Sequence, residues 1–195
     1  MMRSMTAHGL EVGFRLDQQW HILRGEMEHS KRSTLLTLGQ VLASAGTPYA
    51  IIGGVALQVH QAEPRTTLDI DLAVKSVAAL PRADLERAGF TPRGRFTHSE
   101  NWLGPDGTPV QFTDDPALAE TIDHAEQVEL GTVQLRVIGV VDLLHEKLRA
   151  GSDPARRRSK RLQDLTDAQA LLEQAPALQA ELTEAERTLL DRLPQ

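Results

Sequence analysis

The sequence predicts an α/β (α+β) fold, with a small sheet flanked by helices and a helical tail at the C-terminus. Strand-like runs bounded by glycine and proline dominate the middle of the chain, whereas apolar residues recur at helical spacing before Ala45 and again from Val140. These changes of period predict three parts: an N-terminal extension with a helix (1–30), an α/β domain (31–139) and a C-terminal helical region (140–195).

The N-terminal half alternates between the two periods. Residues 1–17 have no clear period, whereas apolar residues at helical spacing predict helices within 18–45, ended by Gly46 and Pro48. The apolar run Tyr49–Ile52 predicts a strand, followed by a tight turn at Gly53-Gly54 and a helix over 55–61. Residues 67–74 alternate and are rich in strand-favouring types, so we expect a strand that contains Asp69 and Asp71.

The predicted sheet continues through the middle of the chain. Further strands are expected at 90–96, 100–103, 110–112, 128–130 and 133–137, with short helices at 80–88 and 116–124. The last two strands form a predicted hairpin that turns at Gly131. Beyond Val140, leucines at helical spacing predict two helices, and a capping box at Thr183 and Glu186 begins a third.

Composition excludes several classes of function. The chain has no cysteine, which excludes disulfides, thiolate metal sites and cysteine nucleophiles. Its apolar runs are far shorter than the roughly 20 residues of a membrane helix, and its N-terminus has no secretory pattern, so we expect no membrane partner and a cytoplasmic location. A net charge of −6 disfavours binding of nucleic acid by the surface as a whole, although a local basic patch remains open.

Asp69 and Asp71 are the first candidates for a functional site. Residues i and i+2 of a strand project on the same face, so the two carboxylates are expected to share one site while Ile70 and Leu72 face the core. Such a pair favours a divalent cation, and we expect Mg²⁺ (or Mn²⁺) because it takes oxygen ligands and keeps positions open for phosphate. The alternative is a solvated strand face without a ligand.

Gly53 and Gly54 favour the metal site over that alternative. Glycines at a strand end allow close approach of the backbone, and the helix start that follows presents free N–H groups to an anion such as phosphate. Alone, the two glycines would indicate an ordinary tight turn. Their combination with Arg65, Thr66 and the aspartate strand, all within about one supersecondary unit, is more specific.

Residues 51–56, followed by 65–72, resemble the signature of the polymerase-beta-like nucleotidyltransferase superfamily. The resemblance is closest to small bacterial members, including abortive-infection toxin-type nucleotidyltransferases, whose tail carries a lysine and a later Lys/Arg-x-x-Asp helix. Residues 141–148 and 160–167 fit that pattern. The resemblance covers roughly residues 35–172 and implies a small mixed sheet of nucleotidyltransferase type.

The resemblance implies a nucleoside triphosphate as ligand. Asp69 and Asp71 would be the catalytic carboxylates and the metal ligands. The implied nucleotide-binding residues are Gly53, Gly54, Arg65, Thr66, Lys147 and Asp164. Lys147 would lie near the phosphates and Asp164 would orient Lys147 or another polar group, although a surface salt bridge from Asp164 to Lys160 is an equal alternative.

One position departs from the family pattern. The superfamily places a third carboxylate in a later strand, where it helps to bind metal and accepts the proton of the attacking hydroxyl. This chain has Gln111 there, a neutral side chain that cannot act as that base. Asp114 or Asp115 could replace it only if the strand were bulged, which we expect less than a direct substitution.

These observations leave different functions open. The first is transfer of a nucleotidyl group to a tRNA or other RNA, a protein or a small molecule. The second is a catalytically degenerate binding or regulatory module, with an antitoxin as a candidate partner in a toxin–antitoxin or defence system. A purely structural interaction domain is the third. The basic run 156–161, with five basic residues of six, is either a solvated loop and helix start or a contact for tRNA.

Overall fold

A computed structural model of the chain describes residues 5–6, 8–24, 31–63 and 65–192. The contacts divide the chain into two units, Met1–Gly139 and Val140–Gln195. In the described residues, the strands are β1 (Met5–Thr6), β2 (Tyr49–Ile52), β3 (Ile70–Val74), β4 (Thr91–Arg95), β5 (Ser99–Leu103), β6 (Pro109–Thr113), β7 (Glu126–Leu130) and β8 (Val133–Val137). The α-helices of the same residues are α1 (His8–Leu23), α2 (Arg32–Ser44), α3 (Gly53–His60), α4 (Arg82–Arg87), α5 (Ala119–Asp123), α6 (Val140–Ser152), α7 (Arg158–Gln174) and α8 (Glu184–Asp191).

The first unit is built on one mixed sheet, as predicted. In the described part of the chain its strand order is β1-β7-β8-β2-β3-β6-β5-β4. β3 lies inside the sheet, antiparallel to β2 and parallel to β6. The predicted hairpin of β7 and β8 is confirmed, with Leu130 paired to Val133 across the turn.

The core of this unit follows from the alternation of the strands. Ile70, Leu72, Val110 and Phe112 are almost fully buried, whereas Gln111, between Val110 and Phe112, is exposed. The sheet therefore has an apolar, covered face and a face that carries polar side chains. Asp71 belongs to the second face because it lies between Ile70 and Leu72.

Three predicted boundaries were wrong. α3 begins directly at Gly53, so the glycines form the first turn of the helix instead of a separate turn before it. β3 begins at Ile70, the first residue that pairs with β6, so Asp69 precedes the strand. A helix also begins at His8, within a segment for which no period was recognised.

The second unit is helical. α6 and α7 pack against each other, and a short 3₁₀ helix that the sequence did not predict spans Pro176–Ala180. The predicted capping box at the start of α8 is confirmed, because Thr183 accepts from the Glu186 amide and the Glu186 carboxylate accepts from the Thr183 amide. Every helix in the described residues is too short or too polar to traverse a bilayer.

Candidate functional site

The junction of β2 and α3 brings the backbone of Gly53 against the carboxylate of Asp71. Gly53 has a φ of +64°, and a Cβ atom at this position would lie only 2.5 Å from Asp71 Oδ2. Any other residue would therefore collide with the carboxylate and strain the backbone. The chain can pass this closely beside Asp71 because position 53 is glycine.

Gly54 makes an equivalent contact with the segment that leads into β3. A Cβ atom at Gly54 would lie 2.4 Å from Thr67 Oγ1. That hydroxyl donates a hydrogen bond to Asp69 Oδ1 at 2.9 Å. Asp71 thus lies against Gly53, and Asp69 is hydrogen-bonded to Thr67, which packs against Gly54.

The start of α3 is an electropositive element beside these carboxylates. Its N-cap residue, Ile52, provides no side-chain hydrogen bond to the first amides of the helix. The first N–H groups of a helix have no partner within the helix, and together with the helix dipole they attract anions. The arrangement places an electropositive helix start beside two carboxylates, a charge pattern that suits a metal–phosphate ligand.

A buried ion pair supports the segment that carries Asp69. The ammonium of Lys31 donates to the carboxylate of Asp17 and, at 2.9 Å, to the backbone oxygen of Thr67. Asp17 and Lys31 are each only 2% exposed. Burial raises the pKa of Asp17 and lowers the pKa of Lys31, and the attraction between the two groups opposes both shifts.

Sequence reasoning missed α1, which carries Asp17, although its buried residues recur at helical spacing: Leu10, Gly13, Phe14 and Asp17. A Cβ atom at Gly9 would lie 1.8 Å from the backbone oxygen of Gln58, and one at Gly13 would lie 2.3 Å from Gln58 Cδ. Gly9, Gly13 and Asp17 are spaced by four and share one face of α1, which docks closely on α3. That spacing is the signal by which the sequence could have revealed the helix.

Arg65 and Thr66, which were also predicted to bind nucleotide, lie between α3 and β3. Arg65 donates from Nη1 to the backbone oxygen of Thr66 at 3.2 Å, and the backbone oxygen of Arg65 accepts from Gln58 Nε2 at 2.9 Å. Both Arg65 and Thr66 are half-buried. Their assignment to nucleotide binding stays a prediction.

No protein-family model matches the chain, and no curated protein matches it by sequence. An antigenic nucleotidyltransferase-like protein from Paracoccidioides brasiliensis superposes with a TM-score of 0.51 at 20% identity, over 82% of this chain and 88% of that one. An H. pylori protein assigned to the nucleotidyltransferases gives a TM-score of 0.52 at 16% identity, over 84% and 83% of the two chains. ANT(2″)-Ia, solved with adenylyl-2″-tobramycin, gives 0.50 at 11% identity, over 82% and 98%.

The chain has a nucleotidyltransferase fold. The resemblance read from residues 51–56 and 65–72 and the predicted fold class are thereby confirmed at the level of architecture. At these identities the likeness concerns the fold, and the chemistry must be argued from the site itself.

The nucleotidyltransferase fold places Gln111 directly beside Asp71. The two residues are register partners in β3 and β6, and Gln111 is in turn paired with Asn101 of β5. Gln111 Nε2 donates to Asn101 Oδ1 at 3.2 Å. The position next to Asp71 therefore carries an amide, joined to a second amide on the neighbouring strand.

Asp114 and Asp115 do not replace the missing carboxylate. β6 pairs without a bulge through Gln111, so the register is not shifted. Asp114 Oδ2 accepts from the Val77 amide at 3.0 Å, and Asp115 Oδ1 accepts from the Ala117 amide at 2.9 Å. Asp115 thus caps the short 3₁₀ helix Pro116–Leu118, whereas Asp114 holds a segment 37 positions earlier in the chain.

The donor set of this site fits one divalent ion that also binds phosphate. The described residues contain no cluster of three or more histidine, aspartate or glutamate side chains placed to hold a metal. Mg²⁺, however, is commonly held by only one or two carboxylates together with the phosphates of a substrate. Asp69 and Asp71 would supply those two carboxylates, and the Gln111 carbonyl is a neutral oxygen beside Asp71.

Lys147 and Asp164 belong to the second unit. Lys147 Nζ donates to Asp164 Oδ1 at 2.8 Å and lies 3.0 Å from Asp167 Oδ2. Although burial opposes it, the attraction of Asp167 and Asp164 raises the pKa of Lys147 above its ordinary value. Arg156 Nη2 donates to Asp164 Oδ2 at 3.0 Å.

This cluster decides between the two interpretations of Asp164. Of the described residues, Lys147 and Arg156 pair with Asp164, and the alternative bridge to Lys160 is not formed. The two close carboxylates offset the cost of burying the Lys147 charge, so a structural role explains the cluster as well. The nucleotide-binding roles of Lys147 and Asp164 stay predictions.

Proposed function

We propose that this protein binds a nucleoside triphosphate with Mg²⁺ or Mn²⁺ and transfers the nucleotidyl group to an acceptor hydroxyl. The acceptor is an RNA, a protein or a small molecule. The observation that carries the proposal is the close approach of Gly53 to Asp71, only 2.5 Å from a Cβ atom at position 53 to the carboxylate oxygen. So close an approach is expected if the Gly53 backbone and the Asp71 carboxylate contact the same ligand.

The proposed roles follow from the charges of the site. The uncapped amides at the start of α3 bind phosphate oxygens of the nucleotide. Asp69 and Asp71 hold the cation, which when bound neutralises phosphate charge and favours displacement at phosphorus. Thr67 holds one oxygen of Asp69 and leaves its other oxygen for the ligand.

The neutral side chain of Gln111 limits the rate of the proposed transfer, because it provides no general base. The acceptor oxygen forms a bond to the α-phosphorus, and the bond to pyrophosphate breaks. The hydroxyl proton passes to water, because the amide of Gln111 cannot accept it. A positioned general base contributes roughly 10²–10⁴-fold, so we expect slow turnover by comparison with a chain that has a carboxylate at this position.

The test is the substitution Asp69→Asn, which keeps the hydrogen bond from Thr67 while removing the charge. We expect it to abolish both the incorporation of labelled nucleotide into an acceptor and the rise in melting temperature caused by triphosphate and Mg²⁺. Asp191→Asn, an exposed position on α8, is the matched control. Transfer that survives Asp69→Asn would refute the proposed mechanism.

A second candidate function is favoured by the Gln111–Asn101 amide pair. In this alternative the chain binds the triphosphate and metal but does not transfer, and the bound form is recognised by a partner protein, such as the antitoxin of a toxin–antitoxin or defence system. Calorimetry that detects binding, with no turnover of any of the four ribonucleoside triphosphates over a broad set of acceptors, would support the module over the enzyme.

A further inference from the structure

The sheet face beside Asp71 is uncharged. Asp71 is paired with Gln111, and Gln111 with Asn101, so these three side chains project from one face of neighbouring strands. Gly94 of β4, the partner of Asn101, ends this row without a side chain. Within the described strands β3, β6 and β5, the other residues that share the face by alternation and pairing are all neutral: Ala73, Ser99, Leu103, Pro109 and Thr113.

Two amides occupy the positions next to the proposed metal ligand. Gln111 Nε2 donates to Asn101 Oδ1 at 3.2 Å, which holds the two amides together. Gln111 is exposed and Asn101 is half-buried, so a ligand can reach both from solvent. Neighbouring strands lie about 4.8 Å apart, so a group bound at Asp71 lies one strand from Gln111 and two strands from Asn101. Amides donate N–H groups to an anion, but they cannot remove a proton from a hydroxyl.

This face offers no general base to an acceptor. In the described residues, no histidine, aspartate or glutamate completes a group of three with Asp69 and Asp71, which are themselves the proposed cation ligands. Glu100 follows the opposite side of the sheet, because it alternates with Asn101, and its buried carboxylate is held by Arg82. A hydroxyl must lose its proton when it attacks phosphorus, so the site suits an acceptor oxygen that has no proton to lose.

A phosphomonoester meets this requirement better than a carboxylate does. Its oxygens are ionised at neutral pH, since its second pKa is about 6. Transfer to a phosphomonoester exchanges one phosphoanhydride bond for another, whereas transfer to a carboxylate forms a less stable mixed anhydride. One phosphate oxygen can attack while the others accept hydrogen bonds from the amides of Gln111 and Asn101. A carboxylate at position 111 would repel such an acceptor, and the neutral amide does not.

We propose that the preferred acceptor of this site is a phosphomonoester, and that Gln111 and Asn101 select it. The inference rests on the proposed function and narrows its RNA, protein or small-molecule acceptors to phosphorylated ones, with hydroxyls as slow acceptors. An anionic oxygen of the phosphomonoester forms a bond to the α-phosphorus of the nucleoside triphosphate. The bond to pyrophosphate breaks, and pyrophosphate leaves with the electron pair. No proton is transferred, and the product carries the nucleotide through a phosphoanhydride.

Matched acceptors that differ in a single phosphate test the proposal. The full chain is incubated with Mg²⁺ and each ribonucleoside triphosphate, labelled at the α-phosphorus. The acceptor pairs are adenosine and AMP, an oligoribonucleotide with a 5′-hydroxyl or a 5′-phosphate, and a serine peptide with or without phosphoserine. In at least one pair we expect the phosphorylated member to be labelled about 10²-fold faster or more, because it needs no general base. The pair that responds identifies the source of the phosphate, and phosphorus NMR identifies the phosphoanhydride.

Two substitutions test whether the amides make the selection. Gln111→Asp should reverse the preference, because its carboxylate is a base for a hydroxyl and repels a phosphate. We expect faster labelling of the hydroxyl member and roughly 10-fold or more slower labelling of the phosphorylated one. Asn101→Ala should raise the KM for the phosphorylated acceptor by about 10- to 150-fold, the range for a lost hydrogen bond to a charged group. Gln134→Asp adds the same charge at an exposed position of β8 and should keep the wild-type preference.

Several outcomes would overturn the inference. These are equal or faster labelling of the hydroxyl members, label on a hydroxyl of the phosphorylated acceptors, or an equal effect of Gln111→Asp on both members of a pair. If Asp69→Asn still abolishes such transfer, the acceptor class is wrong and the proposed function stands. If no acceptor is labelled while triphosphate and Mg²⁺ raise the melting temperature, both are wrong and the binding module is supported.

Discussion

The substitution Gly53→Ala tests the geometry on which the nucleotide site depends. Gly46 is a natural control because its φ of +63° is almost the same as the +64° of Gly53. A Cβ atom at Gly46 would meet no atom within 4 Å, whereas one at Gly53 would lie 2.5 Å from Asp71 Oδ2. The two alanine variants therefore share the backbone strain and differ in the collision with the carboxylate.

The expected magnitudes follow from these two terms. A left-handed backbone costs a residue with a Cβ about 1–2 kcal/mol. In a chain of this size each kcal/mol corresponds to roughly 2–4 °C, so both variants should melt about 2–8 °C lower than the wild type. In Gly53→Ala the carboxylate must also move by nearly 1 Å to reach the ordinary contact distance of 3.4 Å. A displacement of that size can cost about 10²-fold in activity.

The assay is differential scanning fluorimetry with and without triphosphate and Mg²⁺, together with incorporation of labelled nucleotide. We expect Gly46→Ala to keep the ligand-induced rise in melting temperature and Gly53→Ala to lose it. If both variants keep the rise, or both lose it equally, Asp71 is not held against the backbone at position 53 in the way the reasoning requires.

Three further predictions concern other parts of the first unit. Gln111→Asp should raise the rate of nucleotidyl transfer by about 10²-fold or more because it restores a base beside Asp71, with Gln134→Asp as a control; an unchanged rate would favour the binding module. Lys31→Met should lower the free energy of unfolding in urea by about 3–5 kcal/mol, because it leaves the buried Asp17 carboxylate without its cation. Adding Asp17→Leu should recover most of that loss. An equal loss in the double variant would contradict a simple charge pair. Burial lowers the pKa of His60 below its ordinary 6.5, so its contribution to stability is complete above that pH and is lost as the pH falls through the folded-state pKa. His60→Gln should lessen the drop in urea midpoint from about pH 7.5 to about pH 5, and an unchanged drop would assign it to other groups.

Local patterns determined much of this protein. The alternation of 67–74, the hairpin at Gly131 and the capping box at Thr183 each depend on neighbouring residues, so the sequence predicted their type correctly. The pairing of Gln111 with Asp71 follows from the strand register, whereas the role of Gln111 as the replacement of a third carboxylate stays a prediction. A nucleotidyltransferase fold was therefore predictable from the short segments that carry its signature.

Only the tertiary structure decided which distant groups support the site. The buried pair of Asp17 and Lys31 joins residues 14 positions apart, and it acts on Asp69 through the Thr67 backbone. The docking of α1 brings Gly9 and Gly13 against Gln58 of α3, a contact that no spacing along the chain reveals. Close packing and buried charge are properties of positions that meet in space, whereas helix and strand periods are properties of positions that follow one another along the chain.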